Sequence, residues 1–141
     1  MRVLVIDDEP DVLLLCRVNF EVAGHSVIVA LNGDLGLRLA FDEHPDLIVL
    51  DLMLPTRDGL QVLEELHGRD QTRGVPVVLL TAKAQLEDQI RGWSAGASEY
   101  VTKPFSPQLL ARTVERVHGM TPEERLRHRE ETLRRLTATP A

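Results

Sequence analysis

Residues 1–12 read MRVLVIDDEPDV, and this stretch sets the interpretation of the whole chain. An apolar, largely β-branched run covers residues 3–6, and three acids follow it at once: Asp7, Asp8 and Glu9. A short continuous apolar run is typical of a strand buried on both faces of a parallel sheet. Adjacent carboxylates at the end of such a strand repel one another and lose hydration. The stretch therefore predicts either solvated acids or a site where a positive charge compensates them.

The same kind of apolar run recurs along the chain, at residues 27–30, 47–50, 77–80 and 100–101. Segments with helical spacing separate and follow the runs, at residues 10–23, 34–43, 58–67, 85–95 and 107–118. Strands that alternate with helices favour right-handed βαβ crossovers. The pattern predicts an α/β fold, namely a flavodoxin-like, doubly wound, five-stranded parallel sheet of order 2-1-3-4-5 with five helices.

The composition changes after residue 118. Thr121-Pro122-Glu123-Glu124 has the form of a capping box with proline at the first helical position, which predicts a further helix over Pro122–Leu136. Few apolar residues occur in it. We therefore expect a domain at residues 1–118 and a polar helical tail or linker at residues 119–141.

Bulk properties narrow the class of protein. The 141 residues are 43% apolar and 27% charged, an ordinary globular mixture for one domain. A net charge of -6 argues against direct nucleic-acid binding by this chain. No apolar run approaches the roughly 20 residues of a membrane helix, and no signal peptide precedes the first strand. The single cysteine, Cys16, allows no internal disulfide and has the position of a buried hydrophobic residue, so we expect a cytoplasmic protein.

Chemistry-bearing residues follow the other predicted strands as well. Asp51 follows the third, Thr81 the fourth and Lys103 the fifth, and the carboxyl ends of parallel strands share one edge, where ligands bind. Clustered carboxylates raise one another's pKa without a cation, whereas Mg²⁺ prefers such oxygen ligands. Asp51 is then a candidate nucleophile for phosphorus. Thr81 and Lys103 are suited to meet the charged phosphoryl oxygens.

Four stretches together carry a resemblance to a known family: VLVIDDEP (3–10), PDLIVLDLMLP-x-x-DG (45–59), VPVVLLTA (75–82) and GASEYVTKPF (96–105). In this order and at these separations they resemble the receiver domain of bacterial two-component response regulators, over residues 1 to about 118. The resemblance implies that Asp51 is the phospho-acceptor. It also implies that Mg²⁺ is bound by Asp8, Asp51 and the backbone carbonyl of Met53, with Asp7 acting through a metal-bound water.

The resemblance further implies a conformational switch. Thr81 hydrogen-bonds the phosphoryl group and shifts towards it, Lys103 pairs with the phosphate, and Tyr100 turns inward as the aromatic switch. The Lys103–Pro104 peptide is expected to be cis, which only X-Pro bonds adopt cheaply. The phosphoryl donor is a histidine on a sensor histidine kinase or phosphotransfer protein. A homodimer through the face of the fourth helix, fifth strand and fifth helix is a candidate assembly.

Other interpretations of the same residues remain open. Asp7 and Asp8 could serve only as acids at a helix N-terminus, and Tyr100 as an ordinary edge-strand aromatic. A phosphorylation-independent receiver-like scaffold is one alternative function. An aspartyl-phosphate phosphatase is a weaker one, because its Asp-x-Asp pattern would need a second acid where Met53 stands. A flavin carrier would need a Ser/Thr/Gly-rich loop where the acids stand. Under the favoured interpretation the chain catalyses only its own phosphorylation and dephosphorylation.

The first predicted helix carries more apolar residues than its inward stripe needs. Leu13, Leu14, Val18 and Phe20 fall wholly or partly off the stripe formed by Val12, Leu15, Cys16 and Val22. They predict either a kinase-docking surface or a surface buried under the tail helix.

Overall fold

The structure, a computed structural model, describes residues 1–138. Its five strands are all parallel and lie in the order β2-β1-β3-β4-β5, as the sequence predicts. The strands are β1 (Arg2–Ile6), β2 (Ser26–Ala30), β3 (Leu47–Leu50), β4 (Val77–Thr81) and β5 (Glu99–Thr102). The helices within the described range are α1 (Pro10–Val22), α2 (Gly33–Glu43), α3 (Gly59–Gly68), α4 (Asp70–Arg73), α5 (Leu86–Ser94), α6 (Pro107–Gly119) and α7 (Pro122–Leu136).

Two apolar cores form because side chains alternate between the faces of each strand. Leu4 and Ile6 of β1 point towards α2 and α3, while Val3 and Val5 point towards α1 and α6. The central strands β1, β3 and β4 are buried on both faces, which accounts for their continuous rather than alternating apolar runs.

The helix count differs from the prediction at one place. The four-residue helix α4 lies in a segment predicted as a connection, and its Thr72 hydroxyl donates to the Leu66 carbonyl oxygen at 2.6 Å. One turn has no apolar periodicity, so a sequence pattern cannot predict it. The tail helix α7 has the predicted bounds and capping box, in which Thr121 and Glu124 each accept from the other's backbone N–H. Residues 139–141 of the predicted tail lie outside the described residues.

The predicted faces of α1 are partly wrong. Leu13 and Phe20 are buried in the core, whereas Leu15 and Val22, predicted to face inward, are 45% and 85% exposed. Burial under the tail is also wrong, because α7 packs against α5 and leaves the outer face of α1 uncovered. The helix begins at Pro10, two positions after Asp8, with Glu9 as its N-cap residue.

No helix in residues 1–138 is both long enough and apolar enough to cross a bilayer. Cys16 is buried as predicted, with 1% of its surface exposed.

Candidate functional site

The sheet's hydrogen-bond ladder continues one residue beyond three strands and places three site residues. The backbone N–H of Asp7 donates to Ala30 O at 3.0 Å, and that of Asp51 donates to Ile6 O at the same distance. Lys103 N–H donates to Thr81 O at 2.9 Å. Because each residue is held by the neighbouring strand, their side chains start from one rigid edge.

An acidic cluster occupies this edge. Carboxylate oxygens of Asp7, Asp8, Glu9 and Asp51 all lie within 4.8 Å of one another. Asp7 and Asp51 are 1% and 3% exposed, whereas Asp8 and Glu9 are open to solvent. Buried and exposed carboxylates therefore meet at one point on the surface.

Local turns hold the two buried carboxylates. Asp7 Oδ1 accepts the Glu9 N–H at 2.9 Å, and Asp51 Oδ1 accepts the Met53 N–H at 2.9 Å. Each hydrogen bond joins a carboxylate to the backbone N–H two residues later, so a local turn fixes one oxygen of each carboxylate. The second oxygen of each is left for a partner.

Lys103 is that partner. Its Nζ lies 2.9 Å from Asp7 Oδ2, 2.9 Å from Asp51 Oδ2 and 3.1 Å from Glu9 Oε1. Burial on its own lowers the pKa of Lys103, but the hydrogen bonds that Lys103 donates to Asp7 and Asp51, together with the charge of Asp51, outweigh burial and raise it. The ammonium therefore stays charged at physiological pH. The expected Lys103–Pro104 cis peptide is present.

The carboxylates still outnumber the cation. Burial raises the pKa of Asp7, and the charge of Asp51 raises it further, although hydrogen bonds from Glu9 N–H and Lys103 partly offset both effects. The cluster holds four carboxylates, and three of them share a single ammonium, so it has an excess of negative charge. Such a set of oxygen donors is the kind that Mg²⁺ binds, and the residues fit that ion.

Thr81 and Tyr100 lie beside the cluster rather than in it. Among the described residues no hydrogen bond joins either to Asp51. Lys83 connects them instead: its N–H donates to Thr81 Oγ1 at 3.2 Å, and its carbonyl oxygen accepts from the Tyr100 hydroxyl at 2.6 Å. Burial, followed by the charges of Asp88 and Asp51, raises the pKa of Tyr100 to about 12. The phenol is thus a donor at neutral pH.

Sequence reasoning missed two participants. Glu9, which the sequence left unassigned, contacts Lys103 and belongs to the acidic cluster. Lys83 contributes through its backbone, which no side-chain pattern could reveal. Met53 presents its amide to Asp51 while its side chain is half exposed at a cleft of about 490 Å³ that also borders Asp8.

Comparison with known proteins agrees with this architecture. Residues 3–115 match the family model of the response regulator receiver domain. The chain is 46% identical over 112 residues to the DNA-binding dual master transcriptional regulator RpaA of Synechocystis, covering 79% of this chain and 46% of that protein. It is 45% identical over 107 residues to the alkaline phosphatase synthesis transcriptional regulatory protein PhoP of Bacillus subtilis, covering 76% and 44%.

Solved structures show the same fold. The chemotaxis protein CheY4 of Vibrio cholerae superposes with a TM-score of 0.78 at 28% identity, covering 82% of this chain and 97% of that one. The receiver domain of Francisella response regulator 1452 gives a TM-score of 0.77 at 34% identity, covering 83% and 95%. The chain belongs to the response regulator receiver family, the phosphoryl-accepting signalling modules of two-component systems. It spans a little under half the length of RpaA and PhoP.

Proposed function

We propose that Asp51 is the residue that accepts the phosphoryl group, in a reaction that depends on Mg²⁺. One observation carries the proposal: Asp51 is a buried carboxylate with one oxygen fixed by Met53 N–H and the other paired with Lys103, inside a cluster of acids. Asp7, Asp8, Asp51 and the Met53 carbonyl would hold the ion. Bound Mg²⁺ supplies positive charge that offsets repulsion between the carboxylates and the incoming phosphoryl oxygens.

The transfer step needs a carboxylate nucleophile and a stabilised oxyanion. An Asp51 oxygen attacks the phosphorus of a phosphohistidine on a sensor histidine kinase or phosphotransfer protein, and the P–N bond breaks with its electron pair going to the imidazole. Lys103, already within reach of Asp51, stabilises the charge on the phosphoryl oxygens. The chain thereby catalyses only its own modification.

The proposed conformational switch would act through the backbone of Lys83. For Thr81 to bond a phosphoryl oxygen, its hydroxyl must turn towards Asp51, and the hydrogen bond from Lys83 N–H must change. Tyr100 is anchored to the carbonyl of the same residue, so a shift of the loop at Lys83 also changes the position that Tyr100 prefers. A differential interaction of a few kcal/mol is sufficient to move such a two-state population.

The test is phosphorylation by a small donor, acetyl phosphate, read by intact-protein mass. We expect addition of one phosphoryl group in wild type with Mg²⁺, little without Mg²⁺, and none in Asp51→Asn. Asp42→Asn, an exposed carboxylate outside the cluster, is the matched control and should behave as wild type. A metal-independent or Asp51-independent addition would instead favour the scaffold alternative.

The outer face of α1 is the proposed docking surface for the phosphoryl donor. Leu14, Leu15, Val18 and Val22 are all 45–85% exposed there, beside the edge that carries Asp8. Exposed apolar residues grouped on one helix indicate an interaction surface. Leu14→Asp should therefore weaken transfer from a phosphorylated histidine protein while leaving labelling by acetyl phosphate unchanged.

We also propose a homodimer through the face formed by α5, β5 and α6, which are the fourth helix, fifth strand and fifth helix of the sequence prediction. We expect α7 to limit this dimerisation. Glu99 of β5 accepts from Arg116 at 2.7 Å and from His128 of α7 at 3.2 Å, and the His128 ring packs edge-on against Trp93. The helix thus occupies part of the face. We expect a monomer in the resting protein, and stronger dimerisation on beryllofluoride binding in His128→Ala than in wild type, measured by sedimentation velocity. Unchanged dimerisation would contradict the proposed role of α7.

We also propose that residues 1–118 form the receiver module and residues 119–141 a polar helical tail. α6 ends at Gly119 and α7 begins at Pro122, which supports a boundary between them.

A further inference from the structure

A cavity of about 320 Å³ lies at the opposite edge of the sheet from Asp51. It is bounded by the segment before β4, the segment before β5 and the tail helix α7. Arg73, Arg125 and Arg129 line it, together with Val75, Ala97 and Leu126 among others. We call it the arginine pocket. Its volume is within the range of small-molecule sites.

The charge of the arginine pocket is the reverse of that of the chain. No Asp or Glu is among its lining residues, although acidic residues outnumber Lys and Arg by 22 to 16 in the whole sequence. Arg73 pairs with the exposed Asp70. Within residues 1–138, Arg125 and Arg129 form no ion pair with a carboxylate.

The positive charges of these two arginines also repel each other. Arg125 and Arg129 are four residues apart on α7, a spacing at which like charges repel. Both are partly buried, and loss of hydration lowers the pKa of Arg125. The charge of Arg129 also acts on His67 of the same lining, whose pKa is lowered first by burial and then by the charges of Arg129 and Arg73. An anion between them would relieve this repulsion.

The remaining lining is apolar. Val75, Pro76 and Ala97 form one wall, and Leu126, 45% exposed, faces it from α7. Guanidinium groups bind phosphate through paired N–H donors. Apolar walls complement an organic group attached to such a phosphate. We infer that the arginine pocket is a binding site for a small organic phosphate of the nucleoside monophosphate class, separate from the phosphoryl-acceptor site.

The experiment titrates AMP into the full chain in metal-free buffer, by calorimetry, so that the acidic cluster takes no part. We expect saturable binding with a Kd below about 1 mM, and no binding of adenosine, which lacks the phosphate. Arg125→Gln and Arg129→Gln should each weaken binding about tenfold or more, because each removes a charged hydrogen-bond donor. Arg127→Gln is the matched control, since position 127 is on the other side of α7.

Several results would overturn the inference. No saturation by about 10 mM AMP, or an equal loss in Arg127→Gln, would exclude a specific site. Binding to vesicles of anionic phospholipid without binding to AMP would assign the arginines to a lipid surface instead. Arg125→Lys separates folding from recognition: it keeps the charge, so an intact melting temperature with weakened AMP binding would support paired N–H recognition, and unchanged binding would contradict it.

Discussion

The Nζ of Lys103 lies 2.9 Å from Asp51 Oδ2, and these two residues join the ends of strands that lie two positions apart in the sheet. The same ammonium contacts Asp7, so two buried carboxylates share one cation. This pairing makes Lys103 a structural residue of the free protein, in addition to its proposed role in phosphoryl transfer.

Lys103→Met should destabilise the metal-free protein by about 3 kcal/mol, since it leaves buried carboxylates uncompensated. Mg²⁺ should remove much of that loss, because the ion supplies the missing positive charge. Urea unfolding with and without Mg²⁺ measures both effects. Lys83→Met, which changes a lysine side chain without a carboxylate contact among the described residues, should lose little. An equal loss in both variants would contradict the argument.

Met53 should make the phosphorylated form long-lived. Its side chain is half exposed beside the site and has no polar atom to position an attacking water. If Asp51 is the acceptor, Met53→Asn should hasten loss of the phosphoryl group about tenfold. Leu109→Asn, a similar change at an exposed position of α6, is the control. The loss of the phosphoryl group is followed by intact-protein mass. Equal rates of loss in the two variants would contradict the prediction.

Gly59 permits the close approach of α3 to the loop that carries Asp51. An added Cβ would overlap the Asp51 carbonyl oxygen and lie 2.5 Å from Leu52 Cα, and both are backbone atoms rather than the ends of flexible side chains. Gly59→Ala should lower the free energy of unfolding by about 3 kcal/mol and weaken Mg²⁺ binding. Gly68→Ala, where a Cβ meets nothing within 4 Å, should be neutral or stabilising by comparison.

The sequence predicted the strands and the main site because both depend on repeated local signals. Buried parallel strands such as β3 read as continuous apolar runs, and strand order places Asp7, Asp51 and Lys103 on one edge. The predicted faces of α1 were less accurate. Leu13 and Leu15 lie in one continuous apolar run, so the pattern alone does not decide that Leu13 is buried and Leu15 exposed.

The sequence predicts that the tail is a helix, but it does not predict which surface of the domain the helix contacts. Its inward residues are largely polar, among them His128 and Thr132, so no apolar stripe indicates the surface that it contacts. Polar and aromatic contacts help to hold it, among them those of His128 with Trp93 and Glu99. The arginine pocket exists only because of that placement, and the sequence gives no sign of it.

Cys16 should be unreactive in the folded protein. It is almost fully buried, and burial, with a further contribution from the charge of Asp7, raises the pKa of its thiol to about 12. Reagents such as Ellman's reagent need the thiolate and access to it. We expect negligible reaction at neutral pH and full reaction in urea. Stoichiometric labelling of the native protein within minutes would contradict this burial.

His67 should remain neutral at physiological pH. It is half buried with Nε2 2.9 Å from the Gly96 carbonyl oxygen, and burial, then the charges of Arg129 of α7 and Arg73 of α4, lower its pKa from the ordinary 6.5, although the carbonyl partly opposes them. An NMR titration of the ring should give a pKa below 6.5. Arg129→Gln should raise it, and Arg127→Gln should not.

The same shift predicts a pH dependence of stability. A histidine whose pKa is lower in the folded than in the unfolded chain contributes stability that is complete above the unfolded value of 6.5 and is lost as the pH falls through the folded value. The free energy of unfolding should therefore decrease on acidification below about pH 6.5, and the decrease should be smaller in Arg129→Gln. If AMP occupies the arginine pocket, its phosphate offsets the guanidinium charges, so saturation with AMP should also raise the pKa of His67. A histidine pKa that responds to neither Arg129→Gln nor AMP would contradict the contribution assigned to Arg129.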